Sequence, residues 1–175
     1  PAAFHMQYMT NPMTAVEALQ LDCAYAQVAK RLRLPCQAYM ALSDAKANDP
    51  QAGMETGVGA FLAACAGINS VSGPGMLDFV NCFSLEKLAF DAEIAGQALR
   101  FVRPVAVRGD LPVGDLVEEL LREHNLLTSE HTLEHWPQEL YLPGPTVARC
   151  NRDQWTEQGV RAWRARANGA VDEVA

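Results

Sequence analysis

The chain has 175 residues, 49% of them hydrophobic and 20% charged, with a net charge of −7. That length and balance describe one globular domain, residues 1–175, with a sizeable core, and they exclude intrinsic disorder. The acidic charge argues against nucleic acid and anionic membrane surfaces as partners, no apolar run approaches the roughly eighteen residues that span a bilayer, and no secretion signal is visible.

Along the chain an apolar run, a Gly/Pro/Asp turn and a helix recur. The first unit has an apolar run over Phe4–Met9, a turn at Asn11–Pro12 and a helix from about Met13 to Leu32. Its apolar stripe is Val16, Leu19, Cys23 and Ala26, and Pro35 stops it. The second unit has a strand over Cys36–Leu42, a charged turn, and a helix from about Gln51 to Gly67. That helix is apolar nearly all round, which predicts burial on most sides. Its glycines, Gly53, Gly57 and Gly59, each weaken a helix by roughly 1 kcal/mol against alanine. Close packing on a neighbouring backbone would account for them.

The third unit has a short run, Ile68–Val71, then Ser72-Gly73-Pro74-Gly75 and a loop. Ser84 is placed to cap the next helix, with Glu86 in its first turn. Leu85, Leu88, Ala89, Ala92, Gly96 and Leu99 form the expected buried stripe. Lys87 and Asp91 then read as an outward i,i+4 pair, worth about 0.2–0.5 kcal/mol. The fourth unit offers a strand over Pro104–Val107 and a helix over Val113–His124. A further helix runs from Ser129 to Trp136, before Pro137. An irregular stretch, Tyr141–Cys150, precedes a closing helix that starts near Asn151, with Asn151 and Gln154 at capping-box spacing.

Strand-like runs separated by single helices predict an α/β protein with a parallel sheet. A complete (β/α)8 barrel needs about 250 residues, so a barrel reading makes this chain a portion of one. Residue 1 is a proline in already patterned sequence, which fits a piece of a longer polypeptide. The five cysteines are odd in number and form no Cys-x-x-Cys pair. They are expected to be reduced, mostly buried thiols of a cytoplasmic protein, and nothing marks one as a nucleophile.

Three places could carry chemistry. His131-Thr132-Leu133-Glu134-His135 has the His-x-x-Glu-His form, in which two histidines share a metal and Glu134 serves as base. The same residues also describe a polar helix end with stacked histidines, and little chain follows to supply a third ligand. The Gly73–Gly75 turn lets backbone approach a ligand or a neighbour, but it lacks Walker or Gly-x-Gly-x-x-Gly spacing. The turn between strand and helix concentrates Asp44, Lys46, Asp49, Gln51 and Glu55. Loops at strand ends are where α/β enzymes place their active groups. Either these residues line a pocket, or Asp44, Lys46 and Glu55 brace the loop. In a parallel array the loop after Met9, this turn and the Gly73–Asn81 loop would share one face.

Asp44-Ala-Lys46, Asp49, Gln51-Ala-Gly53 and Glu55 resemble the signature of the trimethylamine methyltransferase (MttB) superfamily. So do Ala66-Gly67-Ile68-Asn69, Gly73-x-Gly75, Ser84-Leu-Glu86-Lys87 and Asp91-x-Glu93-Ile94-x-Gly96. A third block, His131-Thr132-Leu133, His135, Glu139-Leu140 and Pro145 through Arg149, is similar to it as well. The blocks keep their order over about residues 10–165.

The resemblance implies the C-terminal portion of a (β/α)8 TIM barrel with extra closing helices. It implies an enzyme that moves a methyl group from a tertiary or quaternary amine, trimethylamine or a betaine, to the corrinoid (cobalamin) of a cognate protein. The absence of any unusual residue favours the branch without pyrrolysine. A quaternary ammonium calls for aromatic faces and carboxylates, which makes Asp44, Lys46, Asp49, Gln51, Glu55 and Tyr8 the pocket candidates. Tyr39 and Phe79 stand nearby, and Gly73 and Gly75 line the pocket. Catalytic residues are not identified and no bound metal is expected. Half a barrel has open edges and an uncovered face, so a homo-oligomer is expected and the chain alone is expected to be inactive. The competing readings are a non-catalytic oligomerising remnant and a zinc hydrolase through His131, Glu134 and His135.

Overall fold

From Thr14 to Phe101 the chain follows the predicted order of helix and strand, with shorter strands and with a hairpin where the sequence suggested a loop before the last helix. The computed structural model describes residues 2–106 and 112–173. They divide into two units: residues up to Val102 together with Pro143 onward, and Arg103–Leu142.

In the first unit, α1 (Val16–Arg31) is followed by β1 (Gln37–Tyr39), α2 (Pro50–Ala66), β2 (Ser70–Ser72), a hairpin of β3 (Met76–Leu77) and β4 (Cys82–Phe83), and α3 (Leu85–Phe101). The later segment adds α6 (Arg152–Glu157) and α7 (Trp163–Asp172). β1 and β2 pair in parallel, with Ala38 opposite Val71, and β3 pairs antiparallel with β4. The protein is therefore a helix-rich α/β structure. Among the described residues there is one parallel pair rather than a continuous sheet, and no closed barrel.

The apolar run Phe4–Met9 forms a turn, and several expectations need correction. His5 N–H donates to Thr10 O at 2.8 Å and Met9 N–H to His5 O at 2.8 Å, so the run curls into a turn, closed by Met9 at φ 54°. Strand pairing ends at Tyr39 because Ala41 turns left-handed at φ 56°, and the buried run through Ala45 goes on as irregular chain. Pro104–Ala106 is irregular, and Val107 lies outside the described residues. The closing helix is two helices, broken at Gly159 and Val160, both at positive φ. Cys65 and Cys82 are exposed and only Cys36 is fully buried; all five thiols are free.

The caps follow the sequence closely. Asp49 accepts from Ala52 N–H at 3.1 Å and Pro50 sits at the first helical position. Gly67, at φ 65°, closes α2. Ser84 accepts from Lys87 N–H, and Asn151 with Gln154 forms the reciprocal box.

The core lies where α1, α2 and α3 meet the strand pair. Leu19, Ala38, Met40 and Ala63 form one cluster; Ala41, Ala60, Ile94 and Ala98 form the next. Gly59 explains the closeness of α2 to the chain beside it, since a Cβ there would fall 2.8 Å from Ala41 N. Gly57 faces open space, and a Cβ at Gly53 would make an ordinary 3.8 Å contact with Phe90. Only one of the three glycines is required by packing.

α2 is not buried all round: Met54, Val58, Leu62 and Cys65 form an outward stripe. α3 departs most from expectation. Its buried face is Lys87, Asp91, Ile94 and Ala98, while Leu85 (55%), Leu88 (37%) and Leu99 (62%) are exposed. In α1 the buried set is Ala18, Leu19, Asp22, Ala26 and Ala29, and Val16 is 76% exposed.

The second unit contains α4 (Gly114–Glu123), ended by His124 in the left-handed region, and α5 (Glu130–Glu139), capped by Ser129. α5 runs past Pro137 to close with Leu140 N–H on Trp136 O at 3.1 Å. A proline this near a helix end removes a bond from the last turn only. No helix among the described residues is long and apolar enough to cross a membrane.

Candidate functional site

The charged turn after β1 is assembled from carboxylates facing backbone N–H groups. Asp44 accepts from Met13 N–H (3.1 Å), Thr14 N–H (2.9 Å) and Thr14 Oγ1–H (2.7 Å), across thirty residues of sequence. Glu55, one turn into α2, reaches back to accept from Ser43 Oγ–H (2.6 Å), Asp44 N–H (2.9 Å) and Gln51 Nε2–H (2.8 Å). Burial pushes the Glu55 carboxyl up, but the bonds from Ser43, Gln51, Asp44 and Thr14 outweigh it and hold the group below the ordinary 4.5.

Lys46 joins the turn to the next loop. Its Nζ donates to Asp44 O at 2.6 Å, pairs with Asp78 Oδ1 at 3.3 Å and sits 3.6 Å from the Phe79 ring centroid. Ser43 N–H donates to Met76 O and Asp78 N–H to Ala45 O. The segment after Asn11, the charged turn and the Gly73–Asn81 loop are thus tied together. Within the last loop Asp78, Phe79 and Val80 are all left-handed, at φ 50°, 55° and 72°.

The candidates separate into kinds. Asp44, Gln51 and Glu55 are engaged in holding the turn, and Asp49 caps α2. The Lys46 side chain is 62% exposed. Tyr8 is 69% exposed and its ring meets His5, not the turn. Tyr39 is 48% exposed on β1. Gly73 and Gly75 admit neighbours: a Cβ at Gly73 would lie 2.5 Å from Met40 O, and one at Gly75, itself at φ 83°, would lie 2.5 Å from Phe83.

Lys87 and Asp91 pair as their i,i+4 spacing predicts, but they face inward, in a buried polar cluster beside this turn. Lys87 Nζ donates to Thr56 Oγ1 (2.7 Å) and Asp91 Oδ2 (2.5 Å), and Gly75 N–H donates to the same Asp91 oxygen (2.7 Å). Both charged residues are 2% exposed. Burial pushes the Lys87 ammonium down and the Asp91 carboxyl up, while their mutual attraction opposes both movements. The pair sits on the helical face of Ile94 and Ala98, at positions i, i+4, i+7 and i+11. That phase was the signal available in the sequence.

In α5 the rings of His131 and His135 meet edge to face with centroids 4.6 Å apart, and Glu134 is exposed. Among the described residues no group of three or more His, Cys, Asp or Glu is placed to hold a metal ion.

A family model described as trimethylamine methyltransferase (MTTB) matches residues 10–174. The chain is 26% identical over 162 residues to trimethylamine methyltransferase MttB of Desulfitobacterium hafniense, covering 93% of this chain and 32% of that protein. It is 27% identical over 173 residues to MttB2 of Methanosarcina mazei and 29% identical over 173 residues to MttB of Methanosarcina barkeri. Each of these matches covers 98% of this chain and 34% of the relative. The chain spans about a third of the length of the curated relatives it matches.

Proposed function

The chain belongs to the trimethylamine methyltransferase (MTTB) family, and from that premise we propose that it forms the C-terminal part of a methyltransferase that demethylates a tertiary or quaternary amine. The methyl acceptor is the cobalt of a corrinoid carried by a cognate protein, which enters as a second substrate. The observation that carries this reading is the family match over residues 10–174. The repeated order of strand, loop and helix, with β1 parallel to β2, supports a portion of a (β/α)8 barrel.

A low-valent cobalt centre is itself the nucleophile, so the protein's work is positioning the methyl group. Asp44 and Glu55 fix the backbone of the turn, and Gln51 orients Glu55. The Lys46 ammonium, over Phe79 and beside Asp78, occupies the kind of place an alkylammonium would take: an aromatic face with a carboxylate at its edge. Asp49 is the remaining pocket candidate at the turn, with Gly73 and Gly75 in the neighbouring loop.

The test is methyl transfer to cob(I)alamin by the polypeptide of the complete reading frame, with trimethylamine and glycine betaine as donors, comparing Asp49→Asn and Asp49→Ala. Asparagine preserves the helix cap, so a loss of turnover in both variants places Asp49 in the pocket. Failure of the unaltered protein to form methylcobalamin with either class of amine refutes the reading. The exposed Leu85, Leu88 and Leu99 favour a second reading, a module that assembles with itself and performs no chemistry. That reading predicts an oligomer by light scattering and no turnover with any donor.

A further inference from the structure

A groove of about 550 Å3 lies between α2, α3, α7 and the strap that runs from Thr146 to Arg149. Small-molecule sites typically measure roughly 300–1,000 Å3 and join an apolar wall to a few polar groups. Here Phe61, Phe90, Ile94 and Trp163 supply the wall, with the Phe90 and Trp163 ring centroids 5.2 Å apart. Gln97, Arg149 and Arg166 supply the polar side.

The local charge is opposite to that of the chain. The molecule carries −7 overall, yet two guanidiniums and no carboxylate line this groove. Among the described residues no carboxylate pairs with either arginine. Arg166 is fixed but not neutralised: its Nε–H donates to Thr146 O at 3.1 Å and its Nη1–H to Arg161 O, both carbonyls. The strap is held from two sides, by that bond from α7 and by Gly144 N–H donating to Glu93 Oε1 of α3 at 2.8 Å. Arg149 is thus presented from an anchored base.

The side of α2 that faces the groove is bare. Gly53 and Gly57 both line it. A Cβ at Gly57 would meet nothing within 4 Å, and one at Gly53 only an ordinary 3.8 Å contact with Phe90. Glycine weakens a helix interior, and neither of these two is required by helix packing. Their effect is on the width of the groove.

We propose that this groove binds a small organic carboxylate with an apolar body. The carboxylate meets the guanidiniums of Arg149 and Arg166, whose planar forks match its two oxygens. The body lies along Phe61, Phe90 and Trp163. None of Asp44, Lys46, Asp49, Gln51 and Glu55 lines the groove, so the site is separate from the proposed methyl-transfer pocket and selects the opposite charge. Its occupancy is measurable without any turnover.

The experiment titrates the 175-residue chain with sodium benzoate at constant ionic strength, following the Trp163 indole N–H by NMR, with benzamide as the neutral isostere. Benzoate is expected to give a saturable shift in the millimolar range. Benzamide, and the Arg149→Gln variant with benzoate, should each bind about tenfold more weakly or worse, as loss of a charge-assisted hydrogen bond implies. Arg149 is exposed, so its replacement leaves the fold intact. Gly57→Leu should abolish the shift, since its side chain starts in open space and enters the groove. If Gly57→Leu loses its dispersed spectrum, Arg149→Gln alone decides. No saturable shift with benzoate overturns the proposal, as does equal binding of benzamide, or undiminished binding by Arg149→Gln or by folded Gly57→Leu.

Discussion

Replacing Lys87 with methionine should be among the most damaging single changes in this chain. The substitution keeps the volume of the stem but removes the ammonium that meets Asp91 Oδ2 at 2.5 Å and Thr56 Oγ1 at 2.7 Å. Asp91 would remain buried (2% exposed), with only the hydrogen bonds from Gly75 N–H and Thr56 left to it. Breaking one side of a buried pair typically costs about 3–5 kcal/mol, because the other charge is left uncompensated. That is a large share of the roughly 5–15 kcal/mol that stabilises a domain. Replacing both partners with apolar residues removes the stranded charge, so Lys87→Met with Asp91→Leu should recover most of the loss. Urea unfolding followed by circular dichroism measures both, provided the slope is unchanged. The deficit of Lys87→Met should also shrink with acidification: burial raises the Asp91 pKa, so the folded state holds that proton more tightly and gains as pH falls through it. A single-variant loss below about 1 kcal/mol, typical of an exposed pair, would refute this account of α3.

Glu55→Gln should destabilise by about 2 kcal/mol near neutrality, since a charged acceptor of three bonds is lost. Glu55 is held below 4.5 in the fold, so its contribution is present above that value and disappears as pH falls through the folded pKa. The stabilities of the two proteins should therefore converge as acid protonates Glu55, and a difference that does not shrink on acidification contradicts the assignment. Gly59→Ala forces a Cβ to 2.8 Å from Ala41 N and should cost about 1–3 kcal/mol. Gly57→Ala meets nothing within 4 Å and should stabilise by up to about 1 kcal/mol; thermal melts of the pair should shift in opposite directions.

Local rules carried the sequence reading where local energy decides. Ser84 and Asn151 cap helices in the fold as their positions suggest, because a cap depends on three or four neighbouring residues. Strand extents did not follow, since apolar residues from Met40 to Leu42 satisfy a buried irregular run as well as a strand, and Ala41 breaks the ladder at positive φ. In α3 the leucines suggested one face and the fold buried another, because Lys87 and Asp91 satisfy each other together with Thr56 and Gly75. The i,i+4 rule contains the Lys87–Asp91 pairing but not its burial. The candidate turn was legible as a concentration of polar groups. That Asp44 and Glu55 cap backbone amides, one of them thirty residues away, follows only from the tertiary structure.

Asp78, Phe79 and Val80 wind one short stretch in the disfavoured hand. At roughly 1–2 kcal/mol per residue for such winding, the stretch alone would spring back to ordinary geometry. Its shape is thus borrowed from its neighbours, above all from the ammonium of Lys46 and the carbonyl of Ala45. A change at Lys46 would be felt first as a relaxation of this corner, well before the helices behind it loosen.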